Sequence, residues 1–242
     1  MHSNAYTFRF AATVTIVCSV LLAGAATLLK PRQIENEELD KKKNILASVN
    51  IRPAEGESFS RQKIQELYSK YIKGVVVDDQ GNIVEGKTPD DIDPKTDTGL
   101  YPLYEYIKDG QPQAHILPVS GKGLWSTIYG YLALDTDCST IKGITFYKHG
   151  ETPGLGGEIS KDWFTANFVG KKIRDAEGNL VSIQVVKGKV REGDPQAYHE
   201  VDGISGATLT GRGVTNFLRS ELKKYEPFLK KMTEAEGGHI NG

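Results

Sequence analysis

Cysteine, methionine and tryptophan are scarce, with two of each among 242 residues. Cys18 lies in an apolar N-terminal run and Cys138 stands alone in the rest, so the region after the run can form no internal disulfide. No CxxC pair and no His/Cys cluster occurs, which excludes the usual zinc and iron–sulfur ligand patterns. Net charge is nearly absent too: 30 basic against 31 acidic residues leave −1. That balance predicts no nucleic-acid partner and no footprint for an anionic membrane surface. A GxGxxG dinucleotide fingerprint and a repeat of fixed period are also missing. The length allows one or two domains with a substantial core.

What is present begins with residues 10–29, a run without a charged side chain. At about 1.5 Å per residue such a helix reaches roughly 30 Å, the thickness of the hydrocarbon layer. Tyr6, Phe8 and Arg9 before it and Lys30 after it fit interfacial anchors. A cleaved signal peptide is the competing reading, because Ala23-Gly24-Ala25 fits a small-x-small cleavage site. Leu28 and Leu29 continue the run past that site, and length favours an uncleaved transmembrane helix. Basic residues after the run (Lys30, Arg32, Lys41, Lys42, Lys43) outnumber the single Arg9 before it, which by charge count alone puts the following region in the cytoplasm.

The pattern divides the chain into an N-terminal tail at 1–9, the span at 10–29, a stalk and the first part of the soluble region at 30–99, a main domain at 100–235 and a tail at 236–242. Residues 35–49 read equally well as a helical stalk or a solvated linker. Ile64, Leu67, Tyr68, Tyr71 and Ile72 recur at helical spacing behind Ser58 or Ser60 as caps. Residues 74–77 and 83–84 flank Asp79-Gln80-Gly81-Asn82 as a hairpin, and 86–99 read as a surface loop. Strands are expected at 101–108, 114–119, 126–134, 141–148 and 182–186. A short helix is expected at 162–169, with Trp163 in the core, and a last amphipathic helix at 211–231. Helices at the ends and strands in the middle give an α+β fold with a central antiparallel sheet and flanking helices.

The stretch Asp202-Gly203-Ile204-Ser205-Gly206-Ala207-Thr208-Leu209-Thr210 carries hydroxyls among small residues just before that last helix. Gly206 and Ala207 admit a bulky group close to the backbone. Unpaired amides at a helix start favour an anion, and Arg212 adds a cation, so a phosphate site is physically reasonable. A plain helix cap explains the same residues, and on these features alone it is the better explanation.

The run Ser205-Gly206-Ala207-Thr208-Leu209-Thr210 resembles the flavinylation motif of the FMN-binding domain family. Two further stretches match in the family's order: Gly121-Lys122-Gly123-Leu124-Trp125-Ser126 and His149-Gly150-Glu151-Thr152-Pro153-Gly154-Leu155-Gly156-Gly157-Glu158-Ile159. The family includes the C subunit of the sodium-translocating NADH:quinone oxidoreductase and the G subunit of the Rnf complex. The Gly-Glu-Thr-Pro-Gly-Leu-Gly-Gly form, together with Asp202-Gly203-Ile204, is more similar to the former.

The resemblance implies FMN attached covalently by a phosphoester to Thr208, installed from FAD by a separate flavin transferase. It implies a flavoprotein that relays electrons inside a sodium-pumping NADH:ubiquinone reductase, beside the other membrane subunits of that complex. It implies a single-pass protein of the bacterial inner membrane with its soluble domain in the periplasm, against the charge count. Site residues expected around the flavin are Thr208, Ser205, Gly206, Ala207 and Thr210, the loop residues Glu151, Thr152, Gly154, Leu155 and Gly156, and Trp125, for which a place in the core is an equal alternative. No metal is expected, since His149 and Glu151 have no third ligand near them and a loop-stabilising hydrogen bond explains them better.

Overall fold

The computed structural model describes residues 3–54, 56–93, 96–191 and 193–239. The chain divides into two compact units, residues 1–41 and 42–242. Helix α1, Asn4–Ser48, supplies the first unit from Asn4 onward and ends seven residues into the second; it is continuous for 45 residues and runs through Pro31. The span and the stalk read from the sequence therefore belong to one helix. Its apolar part is long enough to cross a membrane, with a mean hydropathy of 2.2 over 18 residues and none of that window buried. Side chains such as Phe8, Leu21, Leu22 and Leu28 are exposed there, a state that a lipid environment makes favourable.

In the second unit Ser60 caps α2, Arg61–Tyr71, by accepting the Lys63 N–H at 3.2 Å. Five strands follow: β1 Ile72–Asp78, β2 Leu100–Lys108, β3 Gln111–Lys122, β4 Thr127–Leu134 and β5 Ile141–Lys148. They form one antiparallel meander in chain order. The hairpin expected at 74–84 closes by a single bridge, Val77 to Ile83, and the Asp78 carboxylate holds its turn through the amides of Gln80 and Asn82. Helix α3, Asp162–Thr165, continues into a 3-10 turn at Ala166–Phe168. The strand expected at 182–186 shrinks to β6, Gln184–Val185, which pairs in parallel with β7, Glu200–Val201. Helix α4, Thr208–His239, closes the chain. It continues into the tail expected at 236–242, of which residues 240–242 lie outside the described residues.

Both faces of the sheet are covered. Val214, Phe217, Leu218, Leu222, Tyr225, Phe228 and Leu229 recur every three or four residues along α4 and are all buried. They meet Leu103, Leu117, Val119, Leu132 and Leu134 in one core with Phe146, Phe164 and Phe168. In β4, Tyr131 and Ala133 are buried as well as Ile128, Leu132 and Leu134, so neither face of that strand meets solvent over residues 130–134. The reason is that residues 44–50 pack on the other face. Thr145 Oγ1 donates to the Asn44 carbonyl at 3.4 Å, Asn50 Nδ2 donates to Lys142 O at 3.1 Å, and Ile45 and Leu46 are buried. Arg174 ties the 173–183 hairpin to α4 through a bidentate pair with Glu226, both N–O distances 2.9 Å.

Candidate functional site

Three separate stretches meet at the head of α4: the β3–β4 turn at 123–126, the loop at 149–160 and residues 203–212. The β3–β4 turn is closed by the Gly123 N–H donating to the Ser126 carbonyl at 2.8 Å. Ser126 Oγ accepts the Gly150 N–H at 2.6 Å, which joins this turn to the second loop. In that loop the Leu155 and Gly157 amides both donate to the Thr152 carbonyl, at 3.1 and 2.9 Å. Gly154 at the tip has φ +75°. Thr152, Pro153, Gly154 and Leu155 are exposed, and Gly156 is buried.

The helix begins earlier than its glycines suggested. The Gly211 N–H closes the first helical bond, to the Ala207 carbonyl at 3.0 Å. Thr208 is therefore the first residue of α4, rather than a loop residue three positions upstream. The amides of Thr208, Leu209 and Thr210 head the helix with no intrahelical acceptor, and the helix dipole adds positive potential there. Thr208 is exposed, and its hydroxyl has no partner among the described residues. Gly206, at φ +73°, turns the chain into the helix. A Cβ at that glycine would come within 2.8 Å of Leu155 Cδ2, so the 152–156 loop and the threonine motif are in contact.

Beside Thr208 lies a cavity of about 730 Å³. Ser205, Gly206, Ala207 and Arg212 form one side of it, and the Lys187-Gly188-Lys189 loop forms the other. That loop is docked by the Gly203 N–H, which donates to Gly188 O at 2.7 Å. A second cavity of about 430 Å³ lies on the other side of Arg212, between Gly123, Leu124 and Leu209. Four large apolar side chains stand exposed around the helix head: Leu124, Trp125, Leu155 and Leu209. Trp125 is 67% exposed, so the core alternative for it is removed. Trp163, expected in the core, is half exposed and donates its indole N–H to Glu158 at 3.3 Å; α3 turns its neighbours Phe164 and Thr165 inward instead.

Two of the expected site residues sit differently. Glu151 and Thr210 are buried, and their polar atoms engage each other and the backbone. Burial acts to raise the Glu151 carboxyl, but hydrogen bonds from the Thr210 hydroxyl and the Trp125, Ser126 and Leu124 amides outweigh it. They hold the group below its ordinary value. His149 Nδ1 accepts the Glu151 N–H at 3.3 Å, the loop-stabilising bond expected for this pair. Among the described residues no three His, Cys, Asp or Glu side chains gather as a metal site. Lys187, Lys189, Leu124 and Leu209 were not foreseen. Their sequence signals, a lysine on each side of Gly188 and leucines inside the motifs, are ordinary in isolation.

An exposed helix-head threonine, two glycine loops and a patch of apolar side chains come together on an antiparallel sheet, in the part of the chain that matches an FMN-binding class of domain. The FMN-binding domain model matches residues 123–223, which include all three stretches. The C subunit of the Na(+)-translocating NADH-quinone reductase of Pseudomonas aeruginosa is 39% identical over 97% of this chain and 98% of that relative. Its counterpart in Yersinia pestis is 37% identical over 90% of this chain and 89% of the relative. The crystal structure of the C subunit from Parabacteroides distasonis, 38% identical, superposes with a TM-score of 0.71 over 83% of this chain and 96% of that one. NqrC of Shewanella oneidensis, 27% identical, gives 0.67 over 82% and 99%. The chain belongs to the NqrC family, the C subunits of Na(+)-translocating NADH-quinone reductases.

Proposed function

We propose that this chain carries FMN joined through its phosphate to Thr208 Oγ1 and relays electrons within a sodium-translocating NADH–ubiquinone reductase. The observation that carries the reading is Thr208 itself: an exposed hydroxyl without a partner among the described residues at the head of α4, beside a cavity of about 730 Å³. In the attachment step the hydroxyl oxygen bonds to the flavin-side phosphorus of FAD and the diphosphate bond breaks. AMP leaves, and the hydroxyl proton passes to a base on a separate flavin transferase. The helix-head amides, with Arg212 and Lys187 from the lining of the same cavity, would hold the phosphodiester by positive potential. The backbone of Ser205, Gly206 and Ala207 admits the chain of the flavin.

When bound, FMN supplies reversible acceptance of electrons, and the protein sets the surroundings of its ring. Leu155 and Trp125, exposed beside the helix head, would cover the ring; the exposed backbone of Thr152 and Gly154 would meet its polar edge, with the buried Gly156 supporting that loop from beneath. The absence of a dinucleotide fingerprint assigns NADH to another subunit. Helix α1 anchors the chain in a bacterial inner membrane with the following domain in the periplasm. A reporter fused after residue 242 should be active outside the cytoplasm, and activity only inside it reverses that orientation.

The direct test of attachment is in-gel flavin fluorescence of the full chain co-expressed with a flavin transferase. Wild type should fluoresce after denaturation and Thr208→Ala should not. A dark wild-type band, or an equally bright Thr208→Ala band, overturns the reading.

A further inference from the structure

We propose that Glu151 and Thr210 form a positioning pair, a buried carboxylate–hydroxyl clamp that holds Thr208 and the 152–156 loop in one frame. The inference rests on Thr208 as the attachment residue. Neither member need touch the flavin.

All three stretches of the site converge on one carboxylate. Oε1 accepts the N–H groups of Trp125 at 2.9 Å and Ser126 at 3.2 Å. Oε2 accepts the Leu124 N–H at 3.2 Å and the Thr210 hydroxyl at 2.7 Å. Four donors on two oxygens suit an ionised carboxylate, which only accepts; an amide in its place would turn an NH₂ against N–H groups. The carboxylate has little room to shift. A Cβ on Gly123 would lie 2.6 Å from Oε1, and one on Gly156 would lie 2.9 Å from Oε2 and 2.5 Å from Thr210 Oγ1.

The clamp reaches Thr208 through helix geometry. Two residues apart on an α-helix means about 200° of rotation, so the two threonines point to opposite sides. Thr210 points inward, with its hydroxyl proton committed to Glu151, and Thr208 points outward. Fixing the rotation of this first turn fixes the direction of the Thr208 hydroxyl. Because Glu151 directly precedes the 152–156 loop, the same carboxylate fixes that loop relative to the hydroxyl. The pair also withdraws Thr210 from competition as an acceptor.

The test uses the full chain with a purified flavin transferase and FAD, and follows the initial rate of FMN attachment by intact mass. Wild type comes first: no attachment there defeats the reading of Thr208, separately from the clamp. Given wild-type attachment, Thr210→Val and Glu151→Gln should each slow transfer about tenfold or more, as misplacement of a reacting group does. The double variant should be no slower than the slower single one, because the two residues act as one unit. Thr210→Ser, which keeps the hydroxyl, should restore the wild-type rate and visible spectrum. Wild-type rates and spectra in folded Thr210→Val overturn the clamp. Glu151→Asp keeps the charge but falls short of Thr210, and it decides the matter if Thr210→Val does not fold: slowed transfer supports the clamp and wild-type transfer overturns it.

Discussion

The Thr210 hydroxyl donates to the Glu151 carboxylate at 2.7 Å, with both side chains buried and 59 positions apart in the chain. Two residues before Thr210, the Thr208 hydroxyl faces outward. One turn of α4 thus holds a threonine bound into the protein and a threonine available to chemistry. The difference arises from the sides of the helix they occupy and from the carboxylate beneath it.

Thr208→Ala should abolish covalent flavin and leave the domain folded. The side chain is exposed and has no partner among the described residues, and substitutions at such positions shift stability by about 0.5 kcal/mol or less. A thermal melt within about 2 °C of unmodified wild type is the expected result. Loss of the folded state would make Thr208 a structural cap instead.

Leu155→Ala and Trp125→Ala should keep FMN attached while altering its surroundings. Both side chains are exposed beside the helix head, so their loss leaves the core intact. The visible spectrum or the midpoint potential of the attached flavin should change in each. Unaltered spectra and potentials in both variants would remove these side chains from the ring site.

Glu151 makes stability depend on acid. Its carboxyl is held below its ordinary value near 4.5, because the hydrogen bonds it accepts outweigh the effect of burial. A group depressed in the folded state contributes its full stabilisation above the unfolded value and loses it as pH falls through the folded one. The melting temperature should therefore decline below about pH 4.5, and Glu151→Gln should flatten that decline while lowering stability at neutral pH. An identical acid limb in wild type and variant would contradict this.

Arg174→Ala should cost about 2 kcal/mol, since it takes the bidentate pair from the largely buried Glu226 and leaves it the Lys230 ammonium at 3.5 Å. That corresponds to a fall in melting temperature of roughly 4–8 °C for a domain of this size. Replacing both residues with apolar ones of similar volume should recover part of the loss. Calorimetry of the single and double variants checks this, and a harmless single substitution would show that the pair holds nothing.

Much of the fold was legible because sheet strands announce themselves by punctuation and composition. Strands β2 to β5 lie within a few residues of the expected positions, and β5 matches residue for residue. The head of α4 was not, for Gly211 and Gly213 read locally as loop. Tertiary packing overrides that propensity: a Cβ on Gly211 would come within 2.9 Å of Val185, and one on Gly213 within 2.6 Å of Lys122 O. The β6–β7 pair is two residues long and parallel, too short for any periodic signal. At the site, resemblance marked Thr208, Leu155 and Trp125. Residues drawn in by the fold alone, such as Lys187 and the Glu151–Thr210 link, carry no local pattern, because their meaning comes from contacts across distant sequence.

Intact and peptide mass of the full chain, purified after co-expression with a flavin transferase, tests covalent attachment most directly. The chain should be heavier than its sequence by the mass of FMN less one water, with the excess on the peptide containing Thr208 and lost in Thr208→Ala. An unmodified mass in protein whose transferase modifies another substrate, or an excess on any other residue, would contradict it.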